Sequence, residues 1–287
     1  MNDMTAVRSW TCFEVSIEAG VAHIKLNRPD AMNAMNRAFW NELPEIVNDI
    51  SDNARARVIV ISSTGKHFSA GMDLSVFTSG GAVGALGTTD REVRNEAFRY
   101  HVRHLQDTFS CLDKARMPVL VACQGGVIGG AMDMISACDI RYATEDAFFC
   151  IQEINIAMAA DVGTFPRLCK LIPEGWVREM AYTGRRVPAA KAKEIGLVNE
   201  VFATHDALVD AVMATAREIA AQNPLAVAGS KAFITHARDH STYETLDFIS
   251  VWQTGMWSTP HLAEAFAAKM EKRAPVYPDL APLKKHM

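Results

Sequence analysis

The sequence predicts an α/β chain that ends in a helical region, and three observations carry that prediction. The apolar run Pro118-Val-Leu-Val-Ala-Cys123 reads as a buried strand and feeds a glycine-rich turn, Gln124-Gly-Gly-Val-Ile-Gly-Gly-Ala131, from which a helical pattern starts near Ala131. On both sides of this unit short apolar strands alternate with helical stretches, as in chains built from repeated strand-turn-helix units. From Glu174 onward strand signals nearly vanish and helical periodicity takes over. These features divide the chain into an α/β core over 1–205 and a helical region over 206–287.

Taken in order, residues 13–20 and 21–27 alternate apolar and polar side chains around Ala19-Gly20, which predicts a hairpin. Arg28-Pro29-Asp30 ends its second strand, because proline cannot donate to a ladder. From Ala34 the spacing turns helical and puts Phe39, Leu43, Ile46, Val47 and Ile50 on one face. Val58-Ile-Val-Ile61 is continuously apolar, which predicts a strand buried on both faces of a parallel sheet. It runs into a loop, Ser63 to Leu74, whose Ala70, Gly71 and Met72 are expected to offer backbone N–H donors. Residues 78–90 hold four glycines and little periodic pattern, which predicts a mobile segment. A helix is expected from about Arg91 to Leu112, then the central strand at Pro118, then strands over 139–143 and 147–151 and a short one over 197–202. In the helical region Leu208, Val212, Ala216 and Ile219 share a face, and the stretches 243–257 and 262–270 add two more helices, punctuated by Pro224 and Pro260. Phe248, Trp252, Met256 and Trp257 read as exposed, which predicts a partner surface, most simply another copy of the chain.

Composition excludes several classes of function. A chain of 287 residues with a net charge of −4 and no dense Lys/Arg stripe lacks the electrostatic footprint of a nucleic-acid or anionic-membrane binder. Cys12, Cys111, Cys123, Cys138, Cys150 and Cys169 are scattered with no Cys-x-x-Cys pair, and they read as buried reduced thiols. No histidine stands at metal-ligand spacing, so no metal site is expected, and His67 beside the donor loop reads as structural. With no signal stretch, no membrane-spanning run and no Ser-Lys-Leu tail, a cytoplasmic location is expected.

The chemistry is expected where the glycine turn meets the acids. A strand, a glycine turn and a helix start present free N–H groups and the positive end of a helix dipole to a ligand. Asp133 lies three residues past Gly130 and so shares its side of the helix. Glu153 and Asp161 follow within Cys-Ile-Gln-Glu-Ile-Asn-Ile-Ala-Met-Ala-Ala-Asp. Singly, each has a structural reading: Asp133 complements a dipole, Glu153 ends a strand, Asp161 caps a turn. Together, three carboxylates among apolar residues are costly unless each has a partner or a task. Val127 stands where a dinucleotide-binding turn needs glycine, and no Gly-x-Ser-x-Gly elbow is present, so nicotinamide and serine-hydrolase readings are poor. One oxyanion-type donor turn and three acids suggest proton transfer next to a carbonyl.

Over nearly the whole chain these residues resemble the crotonase (enoyl-CoA hydratase/isomerase) superfamily. The matching pieces are Leu26-Asn-Arg-Pro29, Phe68-Ser-Ala-Gly-Met-Asp-Leu74, Gly129-Gly-Ala-Met-Asp-Met-Ile-Ser-Ala-Cys-Asp-Ile140 and Gly196-Leu-Val-Asn-Glu-Val201. The resemblance implies a spiral of β-β-α units, a carboxy-terminal helical trimerisation region, and trimers often paired into hexamers. It implies a substrate that is an acyl-CoA thioester, bound along Ala70, Gly71, Met72, Asp73 and Leu74 and at Gly130, with its carbonyl oxygen held by the N–H groups of Met72 and Gly130. Coenzyme A is then part of the substrate and no separate cofactor is expected. Ala131 replaces a glycine common in the superfamily, a small departure because the donating N–H belongs to Gly130.

The spacing of Asp133, Glu153 and Asp161, and the later Ala237-Arg-Asp-His-Ser241, resemble the Δ3,5-Δ2,4-dienoyl-CoA isomerases within that superfamily. Hydratases of the superfamily typically have glycine at the position of Asp161. Shifting two double bonds from the 3,5 to the 2,4 arrangement removes a proton at carbon 2 and adds one at carbon 6, so two acids are wanted. The resemblance implies Glu153 as base near carbon 2, Asp161 as acid near carbon 6, and Asp133 orienting or tuning Glu153. The alternatives are an enoyl-CoA hydratase that uses Asp133 and Glu153 on water and a non-catalytic acyl-CoA or RNA-binding member.

Overall fold

A computed structural model of the protein describes residues 9–73, 75–78 and 89–284. Leu74 and nearly all of the segment expected to be mobile lie outside the described residues. Strands β1 (Phe13–Glu18) and β2 (Val21–Leu26) form the expected antiparallel hairpin. Its turn residues Ala19 and Gly20 both have positive φ, the conformation that two-residue hairpin turns need to match strand twist. The larger sheet has the order β1-β2-β3-β4-β6-β9, with β3 at Val58–Ser63, β4 at Val119–Cys123, β6 at Ile140–Thr144 and β9 at Glu200–Phe202. All its pairings beyond the hairpin are parallel. A second sheet joins β5 (Gly126–Ile128), β7 (Phe148–Cys150) and β8 (Val187–Pro188).

The chain passes from one sheet to the other and then into a helix, as in β4, β5 and α4 (Gly130–Ser136), so the α/β chain is the expected spiral of β-β-α units. Residues of β3 and β4 alternate between two cores. Ile59, Ile61, Val119 and Val121 join Phe39, Leu43, Ile46, Val47 and Ile50 of α1 (Arg37–Asp52). Val58, Val60, Leu120 and Ala122 meet Leu208, Val212 and Ala216 of α8 (His205–Ala220) on the other face. Burial on both faces is what the unbroken apolar run in β3 requires.

Between these lie α2 (Ser75–Thr78), α3 (Arg91–Lys114), α5 (Thr164–Leu168), α6 (Glu174–Thr183) and α7 (Ala189–Glu194). Helices α9 (Pro224–Asp239), α10 (Thr242–Met256) and α11 (Thr259–Glu271) complete the chain. Lys231 of α9 is buried and donates to the carbonyls of Leu112 and Met117 while pairing with Asp139, which ties this helix to the end of α3 and the start of β4. Arg141 of β6 is likewise buried and donates to the carbonyls of Ile135, Cys138 and Leu197, which anchors the end of α4.

Several expectations are corrected. The glycine-rich stretch is not one turn: Gly125 turns the chain at φ +55 and residues 126–128 form β5 of the second sheet. Strand β8 has two residues, too few to show periodicity. Pro224 marks a helix boundary as expected, and it opens at its first turn, where its missing N–H costs nothing, a helix that the sequence pattern did not single out, α9. Cys169 is exposed, unlike the five other cysteines. Phe248 and Trp252 are half-buried against Phe233, while Met256 and Trp257 are exposed as expected.

Helix α1 contains Pro44, which cannot donate to the carbonyl of Trp40 one turn earlier. The hydroxyl of the buried Thr108 on α3 donates to that carbonyl instead, at 3.1 Å, beside the packed rings of Trp40 and Phe109. Thr108→Val keeps the shape and leaves the carbonyl unsatisfied, so urea denaturation should show a loss of about 1–3 kcal/mol. An unchanged midpoint would show that the carbonyl finds another donor.

Candidate active site

The site begins where residues 68–73 cross the second sheet. Ser69 donates its N–H to the carbonyl of Gly126 and accepts from the N–H of Ile128, which lays this segment alongside β5. On its other side Met35 donates to Gly71 and accepts from Asp73. Gly71 has φ +81, and a Cβ there would stand 2.5 Å from the carbonyl oxygen of Ile128 and 3.2 Å from the nitrogen of Gly130. Glycine is therefore required, and its lack of a side chain lets the loop and the start of α4 touch. Among the described residues neither the N–H of Met72 nor that of Gly130 has an acceptor. The Met72 nitrogen stands 3.9 Å from where a Cβ of Gly130 would be, so the two donors are close together at the positive end of α4.

Of the donors expected in this loop, two are already used. Ala70 donates its N–H to the carbonyl of Met32 and Gly71 donates to the hydroxyl of Ser69, while Asp73 donates to Met35. His67 is structural as expected: its Nδ1 accepts from the N–H of Gly126 at 2.9 Å and holds the turn into β5.

The three acids are gathered around the donors and differ in surroundings. Gly129, at φ +55, has no side chain and so admits Glu153, whose Oε1 would lie 3.2 Å from a Cβ at that position. The base candidate thus sits one residue from a donor of the pair. Its Oε2 is buried without a hydrogen-bond partner among the described residues, and desolvation, then the charge of Asp161, pushes its carboxyl above the usual range. Asp133 is fully buried on α4. Its Oδ1 accepts from the N–H of Thr164 at 2.7 Å, and its Oδ2 has no partner among the described residues. Burial, then the nearby charge of Glu153, raises it to about 7.

Asp161 reaches solvent despite the apolar residues around it in sequence, and only Asp133 among the three acids is fully enclosed. The surrounding protein still removes enough water from Asp161 to raise its carboxyl above the ordinary value. Asp161 lines an open groove of about 410 Å³. Sequence reasoning missed the residues that place these acids. Thr164 follows Asp161 closely and its link to Asp133 needs the α4 packing, while Met35 and Gln106 reach the site from remote elements with no motif to mark them.

Donors beside a carboxylate that resists ionisation suit a carbonyl compound whose neighbouring carbon gives up a proton. Paired N–H donors can stabilise an oxyanion, and a carboxyl raised above its usual range is suited to take and return a proton. Among the described residues no group of His, Cys, Asp and Glu side chains is arranged to hold a metal ion.

A raised carboxyl is also a stability statement. Because the folded state holds the Asp133 proton more tightly, stability declines as pH rises from 3.8 toward about 7. Asp133→Asn retains an oxygen to accept from Thr164 but cannot ionise. Its gain in urea midpoint over wild type should be larger at pH 8 than at pH 5. A gain that does not change with pH would show that Asp133 is ionised across this range.

A family model described as enoyl-CoA hydratase/isomerase matches residues 16–280. The chain is 41% identical over 261 residues to the mitochondrial Delta(3,5)-Delta(2,4)-dienoyl-CoA isomerase of Rattus norvegicus, covering 90% of this chain and 79% of the relative. It is 35% identical over 277 residues to the peroxisomal enzyme of that name from Arabidopsis thaliana, covering 96% of this chain and 99% of the relative. The crystal structure of an enoyl-CoA hydratase from Bacillus anthracis superposes with a TM-score of 0.81 at 30% identity, covering 93% of this chain and 98% of that one. The chain belongs to the enoyl-CoA hydratase/isomerase family, the crotonase superfamily.

Proposed function

We propose that the protein is a Δ3,5-Δ2,4-dienoyl-CoA isomerase. The observation that carries this reading is the segment from Glu153 to Asp161, which has one carboxyl against Gly129, the residue before the Gly130 donor, and a second, separate carboxyl at an open groove. The identity to dienoyl-CoA isomerases over 90% or more of the chain supports it. With the thioester oxygen on the N–H groups of Met72 and Gly130, Glu153 takes the proton from carbon 2 and an enolate conjugated through to carbon 6 forms. Its electrons return through the chain: the carbonyl re-forms, double bonds settle at carbons 2 and 4, and carbon 6 takes the proton of Asp161. Each acid has then exchanged its protonation state with the other's role, and a proton moved from Glu153 to Asp161, directly or through water, resets the site. Each backbone donor contributes a factor of about 100–1,000 if it behaves as a typical oxyanion donor.

A hydratase reading would place a water between Asp133 and Glu153. The enclosure of Asp133, and the use of its Oδ1 by the N–H of Thr164, weigh against that role and for one of positioning and tuning.

We also propose that the carboxy-terminal helices are covered by further copies of the chain in a trimer. Tyr243 at 84%, Trp257 at 62%, Phe266 at 62% and Met270 at 84% exposure leave large apolar surface on α10, α11 and their junction. Sedimentation at micromolar concentration should give a mass near three chains or six, and a stable monomer would reject the assembly.

The sharpest test separates the acids. Asp161→Asn keeps size and hydrogen bonding but cannot deliver a proton. Conversion of a 3,5-dienoyl-CoA should fall about 100-fold or more, the usual range for a lost general acid. Exchange of the carbon 2 protons with deuterated solvent depends on Glu153 and the donors, and should be affected far less. Wild-type isomerisation by Asp161→Asn would show that this carboxyl has no part in proton transfer.

A further inference from the structure

The acid candidate Asp161 stands in no helix or strand, at the end of a run, 154–159, that is exposed throughout. Something else must fix it, because a reacting group misplaced by about 1 Å costs on the order of 100-fold in rate. Two contacts bracket it. From α4, Asp133 accepts the N–H of Thr164. From α3, the side-chain amide of Gln106 donates to the carbonyl oxygen of Asp161 itself, at 2.8 Å.

Gln106 is the first of a set. Gln106, Ser110 and Asp113 are spaced four and three residues apart, so they share one face of α3, and that face meets the Asp161 segment and α5. The hydroxyl of Ser110 donates to the carbonyl of Gln106 at 2.8 Å and accepts from Arg167 at 3.1 Å. Arg167 also donates to Asp113 through Nε at 2.7 Å, in a pair whose side chains are only 11% and 15% exposed. The Arg167 guanidinium lies directly against Gly163, whose φ of +134 and lack of a side chain make room for it. Arg238 of α9 completes the charge on Asp113 at 3.2 Å. The backbone from Asp161 to Thr164 is thereby gripped from both sides.

We propose that Gln106 is a positioning residue for the Asp161 carboxyl, acting through its hydrogen bond to the Asp161 carbonyl, with the Asp113–Arg167 pair as the fixed support. This deepens the dienoyl-CoA isomerase reading and rests on it for the role of Asp161. Gln106 touches no reacting atom. It sets where the carboxyl stands relative to the distal end of the diene, leaving the donor pair and Glu153 undisturbed.

The experiment uses the full chain with Gln106→Ala and Gln106→Glu, the second of which keeps the shape and loses the donor. Three quantities are read on each: kcat and KM for a 3,5-dienoyl-CoA, exchange of the carbon 2 protons with solvent, and hydrogen–deuterium exchange of amides 160–164 without substrate. Positioning predicts a kcat lowered by about tenfold or more with KM within about twofold, carbon 2 exchange within about twofold, and amides 160–164 exchanging several-fold faster. A merely structural role would lower both activities together, and that result overturns the proposal. Amide exchange unchanged in both variants overturns it as well, whatever the activity. If the wild-type protein does not isomerise the diene, the functional reading fails by that result alone, while the amide exchange still decides whether Gln106 holds the segment.

Discussion

The contact between Gly71 and the carbonyl of Ile128 is the constraint on which the site depends. A side chain at 71 would collide with that oxygen and push away the nitrogen of Gly130. With glycine there, the loop lies in parallel register on β5 while Met35 closes its other edge, and within residues 68–73 every N–H but that of Met72 is consumed internally. The arrangement therefore leaves one unused donor on the loop close to one at the start of α4. Preorganised donors of this kind are effective because they are already oriented when charge develops, and their orientation here comes from sheet register, not from side-chain rotamers.

Around these fixed donors the acids form an electrostatically strained group. Unpartnered oxygens on Asp133 and Glu153 are expensive in a protein interior. Burial accordingly raises all three carboxyls above their usual range, Asp133 to about 7. Asp133 has the further role of a brace: its one satisfied oxygen holds Thr164, three residues beyond Asp161, so the acid most strongly shifted is also the one that links the segment to α4. The stability lost to burying these carboxyls at neutral pH is offset by the two apolar cores on either side of the larger sheet.

Much of this was legible from sequence where the signal is local. The hairpin, α1, β3 and the long α3 follow from alternation and helical spacing, because side chains that repeat every two or about 3.6 residues report which face is buried. The donor turn and the three acids stood out as glycines and carboxylates in apolar surroundings. What was not legible depends on contacts between distant parts of the chain. Strand β5 is hidden in a glycine-rich stretch because it is defined by its pairing with β7, and β8 is too short for any pattern. The unavailability of the Ala70 and Gly71 N–H groups depends on where Met32 and Ser69 lie. The exposure of Asp161 could not be inferred from its apolar neighbours, since Ile154, Ile156 and Met158 in the same run are themselves exposed.

The site residues differ in how firmly the fold holds them. The donors and Asp133 belong to regular elements locked between packed layers, and changes there would disturb the spiral itself. Glu153 sits at the first residue of a short 3-10 turn after β7 and is placed by its contact with Gly129. Asp161 lies farther along, on irregular backbone whose side chains between the two acids contribute little to either core. Such a segment can change its residues at small cost to stability, and in the proposed reaction the frame supplies the oxyanion donors while the segment supplies the second proton. Fixing irregular backbone then requires contacts from outside it, and the buried Asp113–Arg167 pair, well away from the donors, is suited to that because neither partner can be withdrawn without leaving the other's charge unpaired.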